Sequence, residues 1–293
     1  MQDRPGEFER HRPRLFGVAY RMLGSRADAE DVLQDAYLRW HRAVWDDLRS
    51  PEAWLVTTVT RLCIDRLRAL RTEREHYVGP WLPEPLIGEA TTPAADAQAE
   101  LSSSLSIAFL VVLEQLSPDE RAAFLLHEVF DSEYAEIAQI LGKSEPACRQ
   151  IVSRARKRVR DQRPRVQVTE AAHRSVIERF ATAIQTQDKT ALLQLVAENA
   201  SWTSDGGGKA RAALKVIHGR ELVVRFALGV LGRHMDRLAF EPTSVNGEPA
   251  LAIRLHATLI SVVTVRTDGA QVLDVYTVLN PSKLNAIGGA PPS

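Results

Sequence analysis

The sequence predicts a multidomain protein: two all-α modules, then a C-terminal α+β domain with a curved antiparallel sheet. Three observations predict it. Apolar residues recur at helical spacing through most of residues 1–165, interrupted by a proline- and glycine-rich stretch between 75 and 104. A helix, a glycine turn and a second helix read without a break from Tyr134 to Arg160. From residue 166 onward, helices come first and alternating, turn-bounded runs come last. A length of 293 residues suits two or three domains. The boundaries fall at 1–74, 75–104, 105–165 and 166–293.

In the first module, Phe8, Leu15, Phe16, Val18, Ala19, Met22 and Leu23 define an amphipathic helix that stops near Gly24. Ser25 caps the next helix, with Asp28 as an acid three residues on. Val32, Leu33, Ala36, Tyr37 and Trp40 form its apolar stripe. Asp31, Gln34 and Asp35, together with Asp28 and Asp46 or Asp47, give it an acidic side. That side is either a solvated face or a docking surface for a protein partner. Ser50-Pro51 then starts a third helix, because proline is tolerated where the first amide is unpaired. Trp54, Leu55, Val59, Leu62, Cys63, Leu67 and Leu70 face inward, and Arg61, Arg66, Arg68, Arg71 and Arg74 supply positive charge. Arginines interleaved with threonines suit phosphates and an unpaired strand; a plain basic helix is the alternative.

The stretch HYVGPWLPEPLIGEATTPAADAQAE has four prolines and two glycines, which argues against regular structure. Its Trp81-Leu82-Pro83-Glu84-Pro85-Leu86 core is stiffened by proline, and its tryptophan needs a place to bury. The second module begins with Leu105, Ala108, Phe109, Val112, Leu113 and Leu116 at helical spacing. Ser117-Pro118-Asp119-Glu120 caps the following helix. His127 has no partner at metal-ligand spacing and reads as structural or solvent-facing.

In YAEIAQILGKSEPACRQIVSRARKRVR, Ala135, Ile137, Ala138, Ile140 and Leu141 mark the packed side of a first helix. Gly142 suits the positive φ of a helix end, and Ser144 is a natural N-cap for the second helix. That helix carries Ala147, Ile151, Ala155 and Val159 on one side and Arg149, Gln150, Ser153, Arg154, Arg156, Lys157, Arg158 and Arg160 on the rest. This is a helix-turn-helix whose second helix is built for a major groove; an ordinary helical hairpin with a solvated basic face is the alternative.

The formal net charge is zero, but Glu145–Arg165 holds eight basic and two acidic residues, so the local field is positive. Cys63 and Cys148 are the only cysteines and give neither a metal spacing nor a disulfide framework. The opening MQDRPGEFER is too charged for a secretory signal, and the apolar run Ile107–Leu113 is too short to span a bilayer. A cytoplasmic protein without a membrane partner is the expectation.

The last domain opens with a helix near 169–186, carrying Val176, Ile177, Phe180 and Ala181, and a shorter one near 188–197. Ser201-Trp202-Thr203 is strand-like, Glu221–Leu231 is helical, and strands follow near 237–245, 249–257, 258–266 and 271–279. Asn246-Gly247 and Asp268-Gly269 are hairpin turns. His218, Arg220, His256, Asp274 and Tyr276 are the candidate lining of a pocket, with no acid–base pair among them. No catalytic residue, metal or cofactor is assigned. The Asp205-Gly206-Gly207-Gly208-Lys209 stretch lacks the Walker spacing; it is a tight turn or a contact loop.

SPEAWLVTTVTRLCIDRLR, preceded by DVLQDAYLRW and followed by the helix-turn-helix, resembles the extracytoplasmic-function (group IV) sigma factors of RNA polymerase. The linker WLPEPL, the DGGGK stretch, Gly219-Arg220 before a helix, and Asn280-Pro281-Ser282-Lys283-Leu284 resemble one subgroup, which carries a C-terminal SnoaL-like cone with a regulatory role. The resemblance implies a first module that binds the beta-prime clamp helices through Asp31, Gln34 and Asp35 and opens the −10 element with Arg61, Asp65, Arg66 and Arg68. It implies a second module that meets the beta flap and reads the −35 element with Ser144, Arg149, Gln150, Ser153, Arg154 and Lys157. It also implies regulatory contacts at Trp81, Leu82, Pro83, Glu84 and Pro85, at Asp205 to Lys209, and at Asn280, Pro281, Lys283 and Leu284. A small ligand or a protein is a further partner for the cone. Two departures stand out. Leu62 replaces the asparagine of a common Arg-Asn pair, and Ser282 stands where aspartate is common. Two other functions fit the residues: a DNA-binding regulator that works without polymerase, and a cone-fold enzyme with a DNA-binding appendage.

Overall fold

The computed structural model describes residues 4–43, 50–88, 105–162, 168–231 and 237–284. Asp46, Asp47 and the linker stretch 89–104 lie outside the described residues. The chain forms two compact units: Met1–Glu75 with Leu110–Arg163, and His76–Phe109 with Pro164–Ser293. The first helical module and most of the second thus share one unit, and the described part of the linker, with the start of the second module through Phe109, belongs with the C-terminal domain.

In the first unit, α1 (Arg4–Leu23), α2 (Arg26–Arg42) and α3 (Pro51–Glu75) pack around Leu15, Val18, Ala19, Tyr20, Trp40, Leu55, Val59 and Cys63, all almost fully buried. Ser25 caps α2 by accepting from the Asp28 amide. The Trp40 indole donates to the Arg4 carbonyl at 2.9 Å, and its ring lies 5.6 Å from that of Trp54. Trp54 is half-buried, and Val56, Thr60 and Ile64 join the core instead. The stripe is wider than the sequence suggests because α3 is covered on two sides, by α1 with α2 and by the second helical module.

That module consists of α4 (Ile107–Leu113), α5 (Pro118–Glu128), α6 (Tyr134–Leu141) and α7 (Glu145–Gln162). A capping box starts α5: Ser117 accepts from the Glu120 amide, and Glu120 reaches back to the Ser117 amide. Two buried arginines tie the modules together. Arg121 of α5 donates to the Met22 carbonyl at 2.7 Å and to Glu114 at 2.8 Å. Arg21 of α1 lies 5.5 Å from the Phe130 ring, and burial pulls its guanidinium down to about 10.

In the second unit, α8 (Glu170–Gln185) and α9 (Lys189–Leu195) lead into a sheet of β1 (Val196–Asp205), β2 (Ile217–His218), β3 (Leu238–Val245), β4 (Glu248–Leu255), β5 (Thr258–Thr267) and β6 (Val272–Val278). α10 (Arg220–Leu231) precedes β3, and α11 (Pro281–Leu284) ends the described chain. The strand order is β2-β1-β6-β5-β4-β3. β3 to β6 form the expected meander, with Asn246 at φ 54° and Gly247 at φ 81° in the first hairpin. The sheet is mixed rather than wholly antiparallel, because β1 runs parallel to β6. Register shifts in the β1–β6, β4–β5 and β5–β6 pairs bend the sheet. Phe180, Trp202, Val224, Ile253, Val263 and Val275 meet in the core between the sheet and α8 to α10. Among the described residues, no helix is long and apolar enough to cross a membrane.

Candidate nucleic-acid interface and linker clasp

Gly142 ends α6 at φ 63°, a conformation few L-residues adopt, and its amide donates to the Ala138 carbonyl. The Ser144 hydroxyl then accepts from the Ala147 amide at 3.4 Å. Cys148, Ile151, Val152, Ala155 and Val159 of α7 are buried; Ala147 is only half-buried, and Ala135 of α6 is exposed. α7 therefore buries two adjacent columns rather than one, since α5 and α6 both cover it. Arg156 pairs with Glu128 at 2.5 Å and Arg158 with Glu120 at 2.9 Å, which ties the near side of α7 to α5. Arg149, Gln150, Ser153, Arg154 and Lys157 remain as an exposed polar stripe that begins at exposed Ser144. Arg149 is steadied by Glu145 at 2.9 Å and by the Tyr134 ring at 5.1 Å.

On α2, Asp31, Gln34 and Asp35 are exposed on one face, and Leu38, 47% exposed, extends that face by one turn. Sequence periodicity misses Leu38, because a lone apolar residue outside the buried stripe carries no signal. The α3 residues are not one open patch. The Arg61 guanidinium donates to the Gln139 and Ile140 carbonyls at 2.8 and 3.0 Å, satisfying carbonyls at the end of α6. Arg66 bonds Asp28 at 2.8 Å and Glu73 at 3.3 Å. Arg68 lies 3.4 Å from Asp65 and 3.1 Å from Asp119, which also pairs with Lys143 at 3.1 Å. Leu62 is buried, and the His127 ring packs at a tilt against Tyr134 with its centroid 4.3 Å away.

In the second unit the linker is gripped at two points. Asp205, fully buried at the end of β1, accepts from the Tyr77 hydroxyl at 2.5 Å, the Leu82 amide at 2.9 Å and Lys283 Nζ at 2.6 Å. Lys283 also donates to the Leu82 carbonyl and sits 4.2 Å from the Trp81 ring centroid. Leu82, Pro83, Glu84 and Pro85 are buried, and Trp81 is half-buried beneath the ammonium. Asn280 donates to the Tyr77 oxygen at 2.9 Å. Burial, then the hydrogen bond and charge of Asp205, raise the Tyr77 hydroxyl above its ordinary value.

The glycines of the 206–208 turn answer to this clasp. A Cβ on Gly207 would strike the Asn280 amide and come within 2.9 Å of the Tyr77 oxygen, and one on Gly206 would strike the Ala210 carbonyl. Lys209 donates to Ser282 Oγ at 2.5 Å, so a neutral group meets the ammonium here. Leu284 is buried and Pro281 opens α11.

The second grip is on the β3–β4 hairpin. Asn246 Oδ1 accepts from the Leu86 amide at 2.8 Å, its Nδ2 donates to the Leu105 carbonyl at 2.6 Å, and Ile87 bridges Val245.

Of the five candidate pocket residues only Asp274 and Tyr276 come together, and the five do not form one site. His218 lines a cavity under α10; Arg220 donates to the Val196 carbonyl at 2.7 Å, His256 sits in the β4–β5 turn at φ 54°, and Asp274 is held by Ser201 and Arg266, each at 2.5 Å. Tyr276 faces the Asp274 side, since neighbours along a strand alternate between faces.

A model of sigma-70 region 2 matches residues 8–73, and one of sigma-70 region 4 matches residues 106–159. The chain is 40% identical over 291 residues to the ECF RNA polymerase sigma factor SigJ of Mycobacterium tuberculosis, covering 94% of this chain and 92% of that one. The chain belongs to the extracytoplasmic-function sigma factors. Another relative is the probable ECF sigma factor SigI of the same organism, 29% identical over 281 residues. The crystal structure of Mycobacterium tuberculosis SigJ matches with a TM-score of 0.76 and 34% identity, covering 96% of this chain and 98% of that one. This full-length match fits a SnoaL-like C-terminal domain beside the two sigma regions.

Two clasp residues of this sigma factor escape sequence reasoning. Tyr77 reads only as part of the linker stretch, and Asn246 reads only as a turn residue. Each acts through a partner more than a hundred positions away, which no local pattern reports.

Proposed function

We propose that this alternative sigma factor reads a −35 duplex with Ser144, Arg149, Gln150, Ser153, Arg154 and Lys157, and works at the −10 strand with Arg61, Asp65, Arg66 and Arg68. Asp31, Gln34 and Asp35, with Leu38 beside them, dock the polymerase core at its beta-prime clamp helices, and region 4 meets the beta flap. The work is binding and strand opening rather than covalent catalysis. The observation that carries this reading is the exposed stripe on α7, aligned while Arg156 and Arg158 are turned back to α5. Arginine pairs with guanine edges in the major groove, and a base contact is worth roughly 1–3 kcal/mol. Arg154→Ala should weaken binding to a cognate promoter duplex by that amount while leaving non-specific duplex binding nearly unchanged. Equal loss on both duplexes would assign Arg154 to phosphate rather than base; no loss on either would remove it from the reader.

The cone, in this reading, controls the sigma regions through its hold on the linker. Buried Asp205 with its three donors from the linker and the tail supports it.

A further inference from the structure

Between α10 and the sheet lies a cavity of about 1280 Å³ that is open to solvent. Its wall is mostly aliphatic, with Phe226 and Trp202 as the aromatic surfaces. Trp202, Ser261 and Thr277 belong to that wall, and just behind its surface Trp202 Nε1, Ser261 Oγ and Thr277 Oγ1 find no hydrogen-bond partner among the described residues. Their side chains belong to residues that are 4%, 3% and 6% exposed. A buried donor or acceptor without a partner is costly, so three side chains of one wall gain by turning toward a polar occupant. The mouth has the opposite chemistry. Arg211, His218, Arg225 and Arg237 stand exposed around it, and no described aspartate or glutamate lines the cavity. Val216, Leu222 and Val230 at the same mouth are also exposed, so apolar surface continues outward to the charged rim.

We propose that this cavity binds a small amphipathic carboxylate, with its apolar body against Trp202 and Phe226 and its anionic head at Arg211 and Arg225. The body's inner end, where it carries a hydroxyl or carbonyl, meets Ser261 and Thr277. An aliphatic acid and an aromatic acid share this chemistry. The volume exceeds the ~300–1,000 Å³ of ordinary ligand clefts, which suits a chain or ring system with solvent left at the rim. The cavity also shares its wall with the clasp. Ser204 lines the cavity and Asp205 next to it holds the linker; Leu279 lines it and Asn280 next to it holds Tyr77. Ala213 lines it, while Leu214 lies against Gly79 of the linker.

The test needs no polymerase, so its outcome is independent of the transcription reading. Decanoate, phenylpropanoate and uncharged decanol are titrated calorimetrically into the full-length protein. Saturable one-to-one binding of decanoate or phenylpropanoate is expected, and whichever acid binds names the source. Arg211→Ala with Arg225→Ala should weaken the acid by about tenfold and leave decanol within about twofold. Thr277→Val, which keeps the shape, checks the inner wall with phenylpropanoate's hydroxylated analogue; its affinity should fall while phenylpropanoate itself is unchanged. Saturation by neither acid overturns the proposal. So does equal affinity of decanol and decanoate, or an arginine double variant that folds by circular dichroism and binds decanoate unchanged. A concentration-dependent dimer that excludes decanoate also overturns it, making the apolar mouth a cone-to-cone interface.

Discussion

Asp205 concentrates the clasp in one carboxylate. Its side chain has no exposed surface, and its cationic partner Lys283 is 12% exposed, so neither charge can fall back on water. Breaking such a pair by removing one charge costs about 3–5 kcal/mol, because the other stays buried and uncompensated. Asp205→Asn should therefore release Tyr77 to Leu86 from the cone, read as faster amide hydrogen exchange in those residues with the sheet itself unchanged. Adding Lys283→Met should recover part of that protection, since a pair removed together leaves no orphan. Exchange in 77–86 that stays at the wild-type rate would show that Asp205 does not hold the linker. A second buried group sets a pH limit. Burial holds the His173 imidazole below its ordinary value, against a backbone hydrogen bond with Val265 and the charge of Glu170. The folded cone keeps it neutral, whereas the unfolded chain takes up a proton near pH ~6.5. The stability involved is present above that pH and is lost as pH falls. His173→Asn cannot titrate, so its thermal midpoint should fall less than that of the wild type between about pH 7 and pH 5. Parallel midpoint curves would contradict this.

At the scale of elements, legibility followed the range of the physics. Ser117, Gly142 and Ser144 announce helix ends because capping is chemistry between neighbours, and all three sit where that chemistry requires. The four-stranded meander follows from alternation and two hairpin turns. The β1–β6 pairing does not, because parallel strands meet through a crossover and leave no short-range mark. The same limit applies to α3. Its arginines are legible as a basic face, but only the fold reveals that Arg61 caps α6 and that Arg68 reaches Asp119. Exposed ion pairs such as the latter are worth about 0.2–1 kcal/mol, so phosphates can displace them cheaply. α2 offers the opposite case, an acidic face with Leu38 exposed in line with it. Asp31→Ala with Asp35→Ala removes charge from exposed positions and should leave the thermal midpoint near that of the wild type. Holoenzyme assembly with core polymerase should fall at least several-fold. Normal assembly would return this face to plain solvation.

At the scale of the whole molecule, the two grips on the linker matter because they can be removed one at a time. The first uses Tyr77, Trp81 and Leu82 against Asp205, Asn280 and Lys283. The second uses Leu86 and Leu105 against Asn246 of the hairpin. A tethered partner has an effective concentration on the order of millimolar, so contacts that are weak between separate molecules suffice within one chain. Cutting before Asn280 deletes the tail's share of the first grip and spares the second, while deleting the cone removes both. Control through the linker therefore predicts three distinct run-off transcription levels, for full-length, tail-trimmed and cone-deleted protein, at matched holoenzyme. Trp81→Ala weakens only the first grip, by withdrawing the ring beneath Lys283, so it should move activity in the direction of the trimmed protein and leave −35 duplex binding intact. Occupancy of the cavity can shift this balance only by favouring one arrangement of the shared wall over another. Equal transcription from all three proteins would sink intramolecular control and leave the cone with ligand binding alone to account for it.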